Sequence, residues 1–138
     1  MEDRVYITTE DFVRLIFKRL NVLSNYAQMC DYGRKVGFLS EQESLYSGWE
    51  IDRRSVARIS HEVVRLVLKE PESHSWEKAK NLKDLYDCRS CTKHISEVYE
   101  KGIMLPKGED VFDLVGKVSP YEAGEIIERI FDIKKRQQ

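Results

Sequence analysis

Cysteine is scarce and odd in number: Cys30, Cys88 and Cys91 cannot all pair, so no complete disulfide framework is possible. No apolar run approaches the ~20 residues of a helical membrane span. The longest, Val63-Val64 with Leu66-Val67-Leu68, is interrupted by Arg65. A surplus of either charge is also lacking. Charged residues make up 34% of the chain, but Lys+Arg 23 and Asp+Glu 24 nearly cancel. Such a chain has no global field to hold nucleic acid or an anionic membrane, so neither nucleic-acid binding nor membrane insertion is expected. The acidic start Met1-Glu2-Asp3-Arg4 does not read as a secretory signal. With the odd cysteine count it points to the cytoplasm, or to the cell surface had a signal peptide been removed. Gly-rich phosphate loops, Walker patterns and helix-borne zinc signatures are missing as well, which predicts a non-enzymatic protein without a cofactor.

At 138 residues the chain fits one domain, 1–138. A chain of this size buries roughly 68–70% of its extended surface, enough for a real core without metal or disulfide. The pattern is all-α, with five main helices. Thr8 and Asp11 resemble a capping box, and Phe12, Leu15, Ile16, Leu20 and Leu23 follow at helical spacing. A second helix spans about 25–36 and stops at Gly37. Asp52 caps a third, with Val56, Ile59, Val63, Val64 and Val67 as its stripe. Ser75 is placed to cap a short helix carrying Trp76 and Ala79. The fourth spans about 90–101 and stops at Gly102. The fifth has Ser119 as cap, Pro120 in the first helical position and Glu122 closing a capping box. The tail Lys134-Lys135-Arg136 reads as a solvated helix end, where cations suit the dipole.

An internal repeat underlies this order. Arg34-Lys35-Val36-Gly37-Phe38-Leu39 matches Tyr99-Glu100-Lys101-Gly102-Ile103-Met104: a helix end, a Gly stop, then two large apolar residues. After a loop, Ile51-Asp52 matches Val118-Ser119 at an offset of 67, and Ile7-Thr8 opens a third copy. The units cover about 7–23 (a half unit), 25–69 and 85–133. One such unit cannot bury its stripe alone, so copies must pack on one another. The three helices opened by Thr8, Asp52 and Ser119 are expected to pack centrally as equivalents.

Ile7-Thr8-Thr9-Glu10-Asp11-Phe12, Ile51-Asp52-Arg53-Arg54-Ser55-Val56 and Val118-Ser119-Pro120-Tyr121-Glu122-Ala123 resemble the helix-opening signature of S-layer homology modules. Tyr99-Glu100-Lys101-Gly102-Ile103 resembles the helix end of that family, and Leu85-Tyr86-Asp87 its module opening. The resemblance implies a helical module that binds a cell-wall polymer without catalysis, using the signature arginine. Thr9, Arg53 and Pro120 hold that position in turn, and Asp11, Ser55 and Glu122 hold the signature acid. Arg53, with Trp49 four residues earlier and Glu122, is therefore the candidate ligand site, for an anionic glycan or a protein partner. An alternative is an intracellular scaffold or regulatory protein that keeps the fold without polymer binding.

Cys88, Cys91 and His94 form a C-x2-C-x2-H run, which suits zinc if a fourth ligand comes from Cys30, His61 or His74. The competing expectation is cysteines buried in a helix, since His94 and Ile95 align in the repeat with core-like Met29 and Cys30. A cysteine nucleophile would need a base that the sequence does not place beside it. Glu41-Gln42-Glu43 reads as solvated loop. Trp49 and Trp76 fall near unit boundaries, as core edges or as platforms for a sugar face.

Overall fold

A computed structural model describes residues 5–136; the acidic start 1–4 lies outside them. Six α-helices follow in order: α1 Thr9–Arg19, α2 Tyr26–Val36, α3 Gln42–Leu45, α4 Arg53–Glu62, α5 Thr92–Glu100 and α6 Pro120–Phe131. A π-helical turn, Val63–Val67, extends α4, and short 3-10 turns fill the connections. No strand is formed among the described residues, where pairing is confined to isolated bridges. The protein is all-α.

Local signals set most helix ends. Thr8 caps α1 in a complete capping box with Asp11. Asn25 caps α2 in another with Gln28, and Gly37 ends that helix at φ 108°. Asp52 accepts from the Ser55 amide at the start of α4. Ser119 accepts from the Glu122 amide at the start of α6, with Pro120 in the first turn. These caps satisfy amides that the first turn otherwise leaves unpaired.

Elsewhere tertiary packing overrides the pattern. Asn21, at φ 60°, turns the chain away after α1, so Leu23 is exposed instead of joining the stripe. Ser75 caps nothing; a 3-10 turn at Ala79–Asn81 stands in place of the expected short helix. Its Ala79 amide donates to Glu100, and the Trp76 indole donates to buried Glu97 (2.7 Å). Trp76 is thus a core edge. Glu43 is buried in α3 rather than solvated, taking bonds from the Ser40 amide and Arg58. Arg136, expected in solvent, is buried and bidentate to Glu70 at 2.7 and 2.9 Å.

One continuous core joins the stripes. Phe12, Ile16, Ile59, Val63, Ile95, Val98, Ile126 and Ile130 belong to the same buried cluster. Burying such a side chain contributes about 1.5–3 kcal/mol relative to leaving it in water. α1 packs on both α2 and α6, while α4 makes its most extensive helix contact with α5. α5 is thus part of the core rather than a peripheral element.

Backbone bonds tie the starts of α1 and α4 to loops that come later in the chain. The Thr9 and Glu10 amides donate to Trp49 and Ser47, each at 2.9 Å. The Arg53 and Arg54 amides donate to Gly116 and Leu114, also at 2.9 Å. Ile7 connects the two sets: its amide donates to Val118, and its carbonyl accepts from Ile51. The loop that follows α5 is held from below by Asp84, whose carboxylate accepts from the Phe112 and Asp113 amides.

Candidate functional site

Arg53 stands in the first turn of α4, but its side chain is fully buried. Its Nε donates to the Phe112 carbonyl (2.8 Å), one Nη to the Leu105 carbonyl (2.5 Å) and the other to Glu122. The guanidinium also lies over the Phe112 ring, 4.7 Å from its centroid. Burial works against its charge and lowers its pKa, and Glu122 offsets only part of that. The expected exposed anion ligand is therefore an internal tie between α4, α6 and the loop before α6. Glu122 is corrected with it: its carboxylate turns to Arg53 rather than back to the cap of its own helix.

Trp49, by contrast, is 68% exposed. Its ring lies 4.8 Å from that of Tyr46, and both line an open cleft of about 750 Å³. Arg54, Arg58 and Lys117 bring cations to the same cleft. The acids there are partly engaged: Glu43 binds Arg58, and Asp52 caps α4 while contacting Arg54 at 3.2 Å. Arg54 remains 44% exposed, and Lys117 forms no ion pair with a described residue. A stacking platform beside accessible cations suits a flat, partly anionic ligand. Of the residues the sequence brings together, Trp49 lines the cleft, while Arg53 lies inside and its neighbour Arg54 lines the cleft instead. Arg53 and Arg54 are adjacent, and a helix turns successive side chains about 100° apart, so only one of them faces the cleft.

The cysteine run borders this cleft as well, along with His94. Cys88 and Cys91 are joined by a disulfide, with their Cα atoms 5.2 Å apart. They precede α5 rather than lying within it, and both are half-buried, which corrects the expectation of core helix cysteines. As disulfide sulfurs they offer no thiolate to a metal, so the expected run of Cys88, Cys91 and His94 is not a ligand set in this state. Cys30 is free and buried on α2.

His94 lies against α4. Its Nδ1 is 2.8 Å from the Nδ1 of His61, whose Nε2 is 2.8 Å from Glu72. Burial lowers the pKa of His94 to about 4, and His61 adds to the shift, so its ring is neutral near pH 7. Glu97 and Glu62 lie close to the pair, each within 4.8 Å of a histidine nitrogen. The sequence offers His61 only as one of three residues that could join His94, from which 33 residues separate it, and does not single it out. No family model, curated protein or solved structure matches this chain.

Proposed function

We propose that the protein is a non-catalytic binding module whose cleft takes an anionic glycan. Trp49 and Tyr46 form the platform, and Arg54 and Lys117 are the ionic partners. The observation that carries this reading is the exposed Trp49 ring, paired with Tyr46 at 4.8 Å, in a cleft that also presents cations. Aromatic faces bury the apolar side of a sugar ring, and a guanidinium holds a carboxylate or phosphate through paired hydrogen bonds. The units are read as degenerate S-layer-homology-like copies. Support for that comes from the matched amide bonds at the starts of α1 and α4, whose acceptors keep the offset seen in the sequence.

An array of anionic cell-wall glycans tests the reading. Wild-type protein is expected to bind, and Trp49→Ala or Arg54→Ala to bind about tenfold more weakly with the fold intact. Wild-type protein that ignores the array, or variants that bind equally well, would remove the glycan and leave a protein partner as the better account.

A further inference from the structure

Glycan binding leaves the histidine pair unused. α4 carries His61 and Glu62 in its last two positions, and α5, its most extensive helix partner, carries His94. A nitrogen from each ring and a carboxylate oxygen of Glu62 all lie within 4.8 Å of one another. His61 is 2% exposed, and its buried Nδ1 meets another imidazole nitrogen rather than a carbonyl or hydroxyl.

Each group is prepared as a ligand. His61 Nε2–H donates to Glu72 at 2.8 Å, which leaves a lone pair on Nδ1. A carboxylate on the far nitrogen of a histidine is the arrangement that fixes the tautomer of a metal ligand. His94 is neutral near pH 7, because burial disfavours its charged form. Glu62 takes both bonds from Arg65 on Oε2, while its Oε1 faces His94 Nδ1 at 3.9 Å. Arg58 and Lys93 also act on His94, but each has a carboxylate of its own, Glu43 for Arg58 and Glu72 for Lys93. Glu72 and Glu97 form a second cluster with His61. That cluster has one imidazole, and its Glu97 already accepts from the Ser73 amide and the Trp76 indole.

The geometry points to a zinc site at the end of α4: His61 Nδ1, His94 Nδ1 and Glu62 Oε1 hold one ion, with water in the fourth position. Two ligands at about 2.0–2.1 Å from a tetrahedral zinc stand about 3.4 Å apart. The two Nδ1 atoms, at 2.8 Å, open by about half an ångström to reach that spacing, and Glu62 Oε1, at 3.9 Å from His94, closes by about as much. His94 and Glu62 are each partly exposed and supply both movements. Zinc replaces the proton between the rings. That proton leaves His94 Nδ1 for solvent and another joins Nε2, so the ring stays neutral. Two imidazoles, a carboxylate and a water make a donor set that zinc accepts. His94 also lines the cleft, which gives the ion an entry path. The cysteines take no part, and the site does not depend on glycan binding.

The test is zinc titration of the full chain in competition with a chromophoric chelator, with cobalt as a spectroscopic substitute. One zinc per chain is expected with the disulfide intact. Cobalt should give the visible bands of a tetrahedral site without thiolate charge transfer. His94→Gln and Glu62→Gln should each weaken binding at least tenfold while circular dichroism stays helical; if one of them unfolds, the other decides. Cys88→Ser with Cys91→Ser should leave binding unchanged. Wild-type protein that takes up no zinc overturns the proposal, whatever the variants do. Zinc held equally well by either glutamine variant also overturns it, and retention by His94→Gln assigns the ion to His61, Glu72 and Glu97. Thiolate charge transfer, or loss of zinc in the double serine variant, overturns it in favour of the cysteines.

Discussion

The Arg53 guanidinium crosses from the first turn of α4 to the Glu122 carboxylate in the first turn of α6, and it also binds the Phe112 and Leu105 carbonyls of the intervening loop. Removing the arginine would leave two carbonyls without their donor and Glu122 with only the half-exposed Lys107, 3.4 Å away, as a cation. Arg53→Ala is therefore expected to destabilise the fold by about 3–5 kcal/mol. Arg53→Lys should recover only part of this, because an ammonium cannot span three acceptors in one plane. Urea denaturation measures both; a loss below ~1 kcal/mol for the alanine variant would show that the tie is dispensable.

Core position sets the cost of truncation. Ile59 is fully enclosed on α4, whereas Met29 retains 6% exposure on α2. Ile59→Ala is expected to cost about 2–5 kcal/mol and Met29→Ala less, because flexible surroundings near the surface relax into the vacated space. Equal losses in thermal or chemical melts would contradict this ranking.

The chain end is held by charge, which makes it sensitive to acid. Burial acts to raise the pKa of Glu70, but Arg136 and Lys101 outweigh it and keep the carboxyl below its ordinary range. The folded pKa lies below the unfolded value, so the stability from this group is present above about pH 4.5 and lost as pH falls through the folded pKa. Arg136→Ala should cost about 1–3 kcal/mol at neutral pH. The gap between variant and wild type should narrow as the solution is acidified below pH 4. A gap that does not change with pH would show that Glu70 is not the partner that matters.

Gly37 ends α2 at φ 108°, and a Cβ there would meet the Leu66 side chain at 3.1 Å. Gly37→Ala is expected to cost about 1–2 kcal/mol from the left-handed backbone alone. Gly48, which has open space where a Cβ would go, is the control. Calorimetry should separate the two variants by several degrees, and coincident melts would argue against strain at the stop.

Helix starts were legible because a cap is a contact over three residues. Thr8 with Asp11, Asp52 and Ser119 each satisfy amides in their own first turn, so no distant partner is needed to recognise them. The stops at Gly37 and Gly102 are local for the same reason, since both have positive φ. Apolar spacing likewise marked Phe12, Ile59 and Ile126 as core. Long-range choices were not legible. Glu122 had a local partner available in its cap and a distant one in Arg53. The buried guanidinium prevailed, because an uncompensated internal charge costs more than an open capping box. Arg53 and Arg54 look alike in the chain, and only packing decided which one faces the interior. The meeting of His61 with His94 and the burial of Arg136 against Glu70 depend on how α4, its π-helical turn and α5 dock. Composition and spacing alone thus determined an all-α chain with these caps and this core. Which polar groups point into the cleft, and which are spent inside, was decided by tertiary packing, where every buried charge must find a partner.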